Sequence, residues 1–151
     1  MRRVSAVCPA KDVDPARVVD RVVLAAEDRH RRRIALSCEN GTAVLLDLPQ
    51  PVRLRDGDGL VLEDGAIVQV AGAPEPLIEV SADTPAALVR LAWHLGNRHT
   101  DVQLAGERLR IRADHVLEEM LRGLGARLAR LSAPFDPEPS HHGGGGVTST
   151  G

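Results

Sequence analysis

The sequence predicts an α+β protein of two small domains, an all-β module followed by a mixed module of two helices and four strands. Two patterns carry that reading. From Val4 to about Val70, short apolar runs alternate with turn residues and show no helical spacing. After residue 71, Gly72, Pro74 and Pro76 interrupt the chain, and helix-spaced apolar stripes begin beyond them. The length of 151 residues suits one ordinary domain or two very small ones.

In the first module the expected strands are Arg21 to Ala26, Arg33 to Ser37, Ala43 to Leu48, Val52 to Leu54, Leu60 to Leu62 and Ile67 to Val70. Asn40-Gly41, Asp56-Gly57 and Asp64-Gly65 are hairpin or tight-turn signals between them. A single flat sheet would leave its apolar face uncovered, so a sandwich or a partly open barrel is expected. The second module reads as strand (Leu77 to Val80), helix (Thr84 to Leu95), strand (Val102 to Leu104), strand (Leu109 to Arg112), helix (Val116 to Leu124) and strand (Arg127 to Leu131). That βαββαβ order predicts a ferredoxin-like domain, a fold that hosts many functions. The expected limits are 1–72 for the β module, 73–136 for the mixed domain and 137–151 for a polar, flexible tail carrying His141-His142 and a glycine run.

Composition narrows the function. A formal net charge of −2 gives no global field for nucleic acid or acidic membranes. Trp93 and Phe135 are the only Trp, Tyr or Phe residues, so the stacking platforms of single-strand binders are missing. Met1-Arg2-Arg3-Val4 passes straight into alternating residues without a signal peptide or long apolar run, which predicts a cytoplasmic address. Cys8 and Cys38 stand apart without a C-x-x-C motif and are expected to be small core residues. Asp28-Arg29-His30-Arg31-Arg32-Arg33 is a basic cluster, expected to be a solvated loop and edge strand.

The first helix of the mixed domain sets up the chemistry. Thr84 is an N-cap, Pro85 the first helical residue, and Leu88, Leu91, Ala92 and Leu95 form the core stripe. Gly96-Asn97 is expected to stop the helix in a left-handed turn, leaving Arg98 and His99 to project from the loop beyond. His94 and His99 are five residues apart, roughly 140° around a helix, whereas one helix face chelates at i, i+4. Further ligands for a metal at His99 would therefore come from a second copy of the chain or from the tail. Val89 and Trp93 lie off the core stripe and either extend it or form a patch for a twin subunit. In the second helix Asp114 is the N-cap and Leu117, Met120, Leu121 and Leu124 the apolar stripe. Its first residue, His115, either completes the capped turn or offers a neutral imidazole to a metal.

Three ordered blocks then carry a resemblance. His94-Leu95-Gly96-Asn97-Arg98-His99, Asp114-His115-Val116-Leu117-Glu118-Glu119-Met120-Leu121 and Ala133-Pro134-Phe135-Asp136-Pro137-Glu138 resemble the sequence blocks of the UreE family, the urease accessory nickel metallochaperones. Asp47-Leu48-Pro49 and Leu54-Arg55-Asp56-Gly57-Asp58 resemble the family's N-terminal half. The match covers nearly the whole chain and is weakest in residues 1–20 and in the tail. It implies a homodimer in which His99 of each subunit shares one Ni(II), with Zn(II) or Cu(II) binding in vitro. It also implies further ligands from His141 or His142, a secondary metal site at His115, and delivery to the urease accessory GTPase and the urease apoprotein. Ala113 stands where some family members carry another histidine.

Two other classes were weighed. No nucleophile motif, phosphate loop or H-E-x-x-H is present, so an enzyme is not expected, although His94, His99 and Asp101 around a metal would be its residues. A metal-free binding module would dock on RNA or a ribosomal particle through Arg29 to Arg33.

Overall fold

A computed structural model describes residues 1–139 of the chain. The chain divides into two compact units between Pro74 and Glu75.

The first unit contains β1 (Arg2–Cys8), β2 (Val18–Leu24), β3 (His30–Ser37), β4 (Ala43–Arg53), β5 (Gly59–Leu62) and β6 (Ile67–Gly72) in one sheet of order β2-β6-β5-β1-β4-β3. Asn40-Gly41 joins β3 to β4 and Asp64-Gly65 joins β5 to β6, both as antiparallel hairpins. Asp56-Gly57 makes a tight turn but no hairpin, because β1 lies between β4 and β5, pairing parallel with the first and antiparallel with the second. β2 likewise pairs parallel with β6. Local turn chemistry reports only neighbours in sequence, so these long-range pairings were not legible from it. The two expected strands Ala43 to Leu48 and Val52 to Leu54 are one strand, β4. Its partner register jumps from Arg31–Val52 to Arg33–Asp47, so Pro49 and Pro51, which lack N–H donors, sit in the irregular stretch.

The sheet covers its apolar face by curling. Val22, Leu24, Leu36, Val44, Leu46, Leu60, Leu62, Val68 and Val70 belong to one buried cluster although they come from strands spread across the whole sheet order. Asp20 pins the curl. It lies on β2, at one end of the sheet order, is only 3% exposed, and accepts hydrogen bonds from the backbone N–H groups of Asn40 (2.8 Å) and Thr42 (3.1 Å) in the turn that leads from β3 at the other end. The Glu39 N–H donates to the Arg21 carbonyl beside it (2.8 Å). Burial pushes the Asp20 carboxyl up, but its hydrogen bonds from the Thr42 side chain and from the Asn40, Arg21 and Thr42 backbones outweigh that and hold its pKa at about 2.

The basic cluster is not a uniform solvated face. Arg29 is buried and donates to the Leu54 carbonyl (3.2 Å), while Arg31 pairs with Asp28 (3.1 Å) and Arg33 with Asp47 (2.8 Å). Much of the charge is thus answered locally, which removes the reason for expecting a phosphate-binding strip at Arg29 to Arg33.

The second unit contains β7 (Glu75–Ser81), α1 (Pro85–Asn97), β8 (Gln103–Ala105), β9 (Arg108–Arg112), α2 (His115–Gly123) and β10 (Arg127–Ala133). Its antiparallel sheet has the order β10-β7-β9-β8. Ile78, Val80, Leu109 and Ile111 form one cluster with Leu91 and Leu95 of α1 and Leu117 and Leu121 of α2, so both helices pack on the same face. Burying each such side chain is worth about 1.5–3 kcal/mol. Thr84 caps α1 by accepting from the Ala87 N–H (3.1 Å), and Asp114 caps α2 by accepting from the Leu117 N–H (3.0 Å). Glu118 is buried among these apolar residues with its carboxylate 3.1 Å from Arg130 of β10. On the opposite face, Phe135 and Leu77 are both buried.

The Asp20 clamp gives a pH signature. Because its folded pKa lies below the ordinary carboxylate value, the stability it confers is complete above about pH 4 and is lost as the pH falls toward 2. Asp20→Asn should lower the melting temperature at pH 7, and the gap to the unmodified protein should close between pH 4 and 2 in thermal melts. A gap unchanged by pH would contradict the clamp.

Candidate metal centre

The end of α1 differs from the expected geometry in an informative way. The helix runs through Gly96 to Asn97, and the left-handed residue is not glycine but His99, at φ 57°. Around it the Thr100 N–H donates to the Leu95 carbonyl (3.3 Å) and the His99 N–H to the Gly96 carbonyl (3.1 Å). This is the Schellman closure, in which the residue after the C-cap turns left-handed. The same closure ends α2, with Ala126 N–H to Leu121 carbonyl and Gly125 N–H to Arg122 carbonyl, both 3.0 Å. There the left-handed residue is Gly125, at φ 89°. α1 thus carries a histidine where α2 carries glycine. A side chain in that conformation costs roughly 1–2 kcal/mol, and the hydrogen bonds and the buried Leu95 keep it there.

The loop holding His99 is fixed on both sides. Arg98 Nε–H donates to Met120 Sδ of α2 at 2.9 Å, and Asp101 pairs with Arg112 of β9 at 3.2 Å. The imidazole of His99 is on an exposed residue. His94, His99 and Asp101 are not among any group of three or more His, Cys, Asp or Glu side chains that could hold a metal among the described residues. His94 is half-buried, its ring edge-on to Trp93 with centroids 5.0 Å apart.

α1 also presents an apolar outer face. Val89 is 69% exposed and Trp93 62%, and with Ala86, Arg90 and His94 they line a shallow hollow of about 470 Å³. These residues do not extend the core.

His115 is the first residue of α2, exposed, in the turn capped by Asp114. His141 and His142 lie outside the described residues. Among the described residues no group of three or more His, Cys, Asp or Glu side chains converges to hold a metal, and no helix among them is long and apolar enough to cross a membrane.

The chain matches two family models along almost its whole length, the UreE urease accessory protein N-terminal domain over residues 4–73 and its C-terminal domain over 75–150. The chain belongs to the UreE family. Relatives named urease accessory protein UreE include one from Bradyrhizobium sp. (strain BTAi1), 55% identical over 128 residues that cover 81% of this chain and 62% of that protein. Another, from Rhodopseudomonas palustris (strain BisB18), is 57% identical over 119 residues, covering 79% of this chain and 56% of that protein. A third, from Rhizobium rhizogenes (strain K84), is 44% identical over 147 residues, covering 97% and 87%. The match thus spans only 62% and 56% of the first two of these relatives. UreE is a family of accessory proteins rather than enzymes.

Two features of this UreE site escaped the sequence reading. Gly96 drew the expected left-handed turn to itself, although the spacing from Leu95 to Thr100 fits the six-residue closure. The Arg98–Met120 contact joins two blocks that are distant in sequence. If His99 carries the strain described, His99→Gly should stabilise the protein by about 1 kcal/mol, raising its melting temperature. Equal or lower stability in denaturant titration would show that the left-handed residue is unstrained.

Proposed function

We propose that the protein is a nickel metallochaperone in which two copies of the Glu75-onward unit meet across α1 and share one Ni(II) between their His99 imidazoles. The observation that carries the reading is His99 itself, a costly left-handed histidine on an exposed residue at the end of the helix that also exposes Val89 and Trp93. One chain offers a single well-placed imidazole there, which is why the remaining ligands are sought in a second copy and in His141 or His142. The strand order β10-β7-β9-β8 with both helices on one face supports taking this unit as ferredoxin-like, spanning 73–136.

Imidazole donors suit Ni(II), and equally Zn(II) or Cu(II), so selectivity rests on which ion is supplied. An ion held by few protein ligands exchanges them readily, unlike one in a closed four-ligand structural site. That lability is what delivery requires. Membership of the UreE family supports the receiver being the urease accessory GTPase and, through it, the urease apoprotein in the cytoplasm. The 1–72 β module would then contact those partners, and His115, exposed at the start of α2, would bind a second, weaker ion.

Calorimetry tests this directly. The unmodified protein should take up one Ni(II) per dimer with high affinity, and His99→Ala should abolish that binding while leaving the fold intact. The affinity should also fall as the solution is made more acidic, because protons compete with the ion for the imidazole nitrogens. Unchanged binding by His99→Ala, or an affinity flat from pH 8 to 5, would refute the assignment.

A further inference from the structure

On its α2 side the His99 loop is braced by a sulfur atom. Arg98, the C-cap of α1 and the residue before His99, donates its Nε–H to Met120 Sδ at 2.9 Å. The Arg98 backbone N–H meanwhile donates to the Leu95 carbonyl (3.1 Å), inside the closure that turns His99 left-handed. Arg98 thus holds the turn with its backbone and α2 with its side chain. Met120 packs against the buried cluster of the second unit, yet it is only half-buried, so a small solute reaches it.

A thioether is a weak acceptor and an oxidisable one. Toward hydrogen peroxide, Sδ gives an electron pair to one peroxide oxygen. An S–O bond forms, the O–O bond breaks, and the leaving oxygen takes up the proton of its partner and departs as water. Sulfur is oxidised by two electrons and the peroxide is reduced by two, giving methionine sulfoxide. Oxygen added on the Arg98 side would stand where the guanidinium now approaches. Added on the other side, it makes sulfur the positive end of the S–O dipole, and Sδ no longer accepts from Nε. Both epimers therefore break the brace, and the new dipole is poorly placed against the apolar cluster.

We propose that Met120 is a modification site, a methionine whose oxidation frees Arg98 and loosens the His99 turn, so that peroxide lowers the affinity of the ion site. This rests on the reading that His99 holds Ni(II). Met120 is a positioning residue, since it acts on the ion through Arg98 and the backbone of His99. The Asp101–Arg112 pair still braces the other side of the loop, so the loss is partial. It is about threefold for each loop and about tenfold where two loops share one ion. The sequence holds one other methionine, Met1, in the first unit.

The test treats the metal-free full chain with hydrogen peroxide, removes the oxidant, and places each added oxygen by peptide mass spectrometry. The expected result is Met120 sulfoxide, faster hydrogen exchange at the His99 and Thr100 amides, and about tenfold weaker Ni(II) binding by calorimetry. Methionine sulfoxide reductases acting on the two epimers should restore the affinity. Met120→Leu keeps the apolar bulk, Met1 and both cysteines, and its affinity should be the same before and after peroxide; the reductase step decides if this variant does not fold. Oxidation of Met1 without Met120 would overturn the proposal. So would an affinity loss that Met120→Leu shares or that the reductases do not reverse. Unchanged Ni(II) affinity after complete Met120 oxidation overturns this proposal alone if His99→Ala abolishes binding, and overturns the His99 reading with it if His99→Ala binds normally.

Discussion

A histidine held in the left-handed conformation at the end of α1 is the constraint on which the candidate site depends. Two hydrogen bonds close the helix around it, Thr100 N–H to Leu95 carbonyl and His99 N–H to Gly96 carbonyl. They can do so because Leu95 is buried and cannot follow the chain outward. The result is an imidazole on an exposed residue whose backbone is nonetheless fixed, braced by Arg98 against α2 and by Asp101 against β9. Glycine in this place would satisfy the turn at less cost, as Gly125 does at the end of α2. A residue type kept against a local conformational preference points to a use for its side chain.

The rest of the second unit serves that placement. Leu91 and Leu95 bind α1 to the sheet along one face, which leaves Val89 and Trp93 exposed on the other. The first unit solves a different problem. Its single sheet covers its own apolar face by curling, and the Asp20 carboxylate ties the turn from one end of the strand order to β2 at the other. That carboxylate accepts from the Asn40 and Thr42 backbone N–H groups of the turn.

Much of this was legible in the sequence where the signal was local. Thr84-Pro85 and Asp114 predicted both helix starts, and the apolar spacings predicted the buried Leu91, Leu95, Leu117 and Leu121, whereas Leu124, expected in the second stripe, is exposed at the C-cap of α2. The order of elements after residue 75 followed from period changes alone. What escaped was non-local. The insertion of β1 between β4 and β5 depends on long-range pairing that turn residues do not encode, and Pro49 and Pro51 concealed the continuity of β4. The burial of Arg29 was hidden inside a run of arginines whose other members are exposed and paired. At the end of α1 the left-handed residue is His99 and not the expected Gly96, because glycine is only the usual occupant of such a turn.

The account stands or falls on where the ion sits. Crystals of the Ni(II)-loaded protein, with anomalous diffraction collected at the nickel absorption edge, place it directly. The account predicts one strong peak on a two-fold axis, within bonding distance of His99 Nε2 or Nδ1 from both subunits. A peak confined to one protomer, or one bound by His115 or the tail without His99, would contradict it.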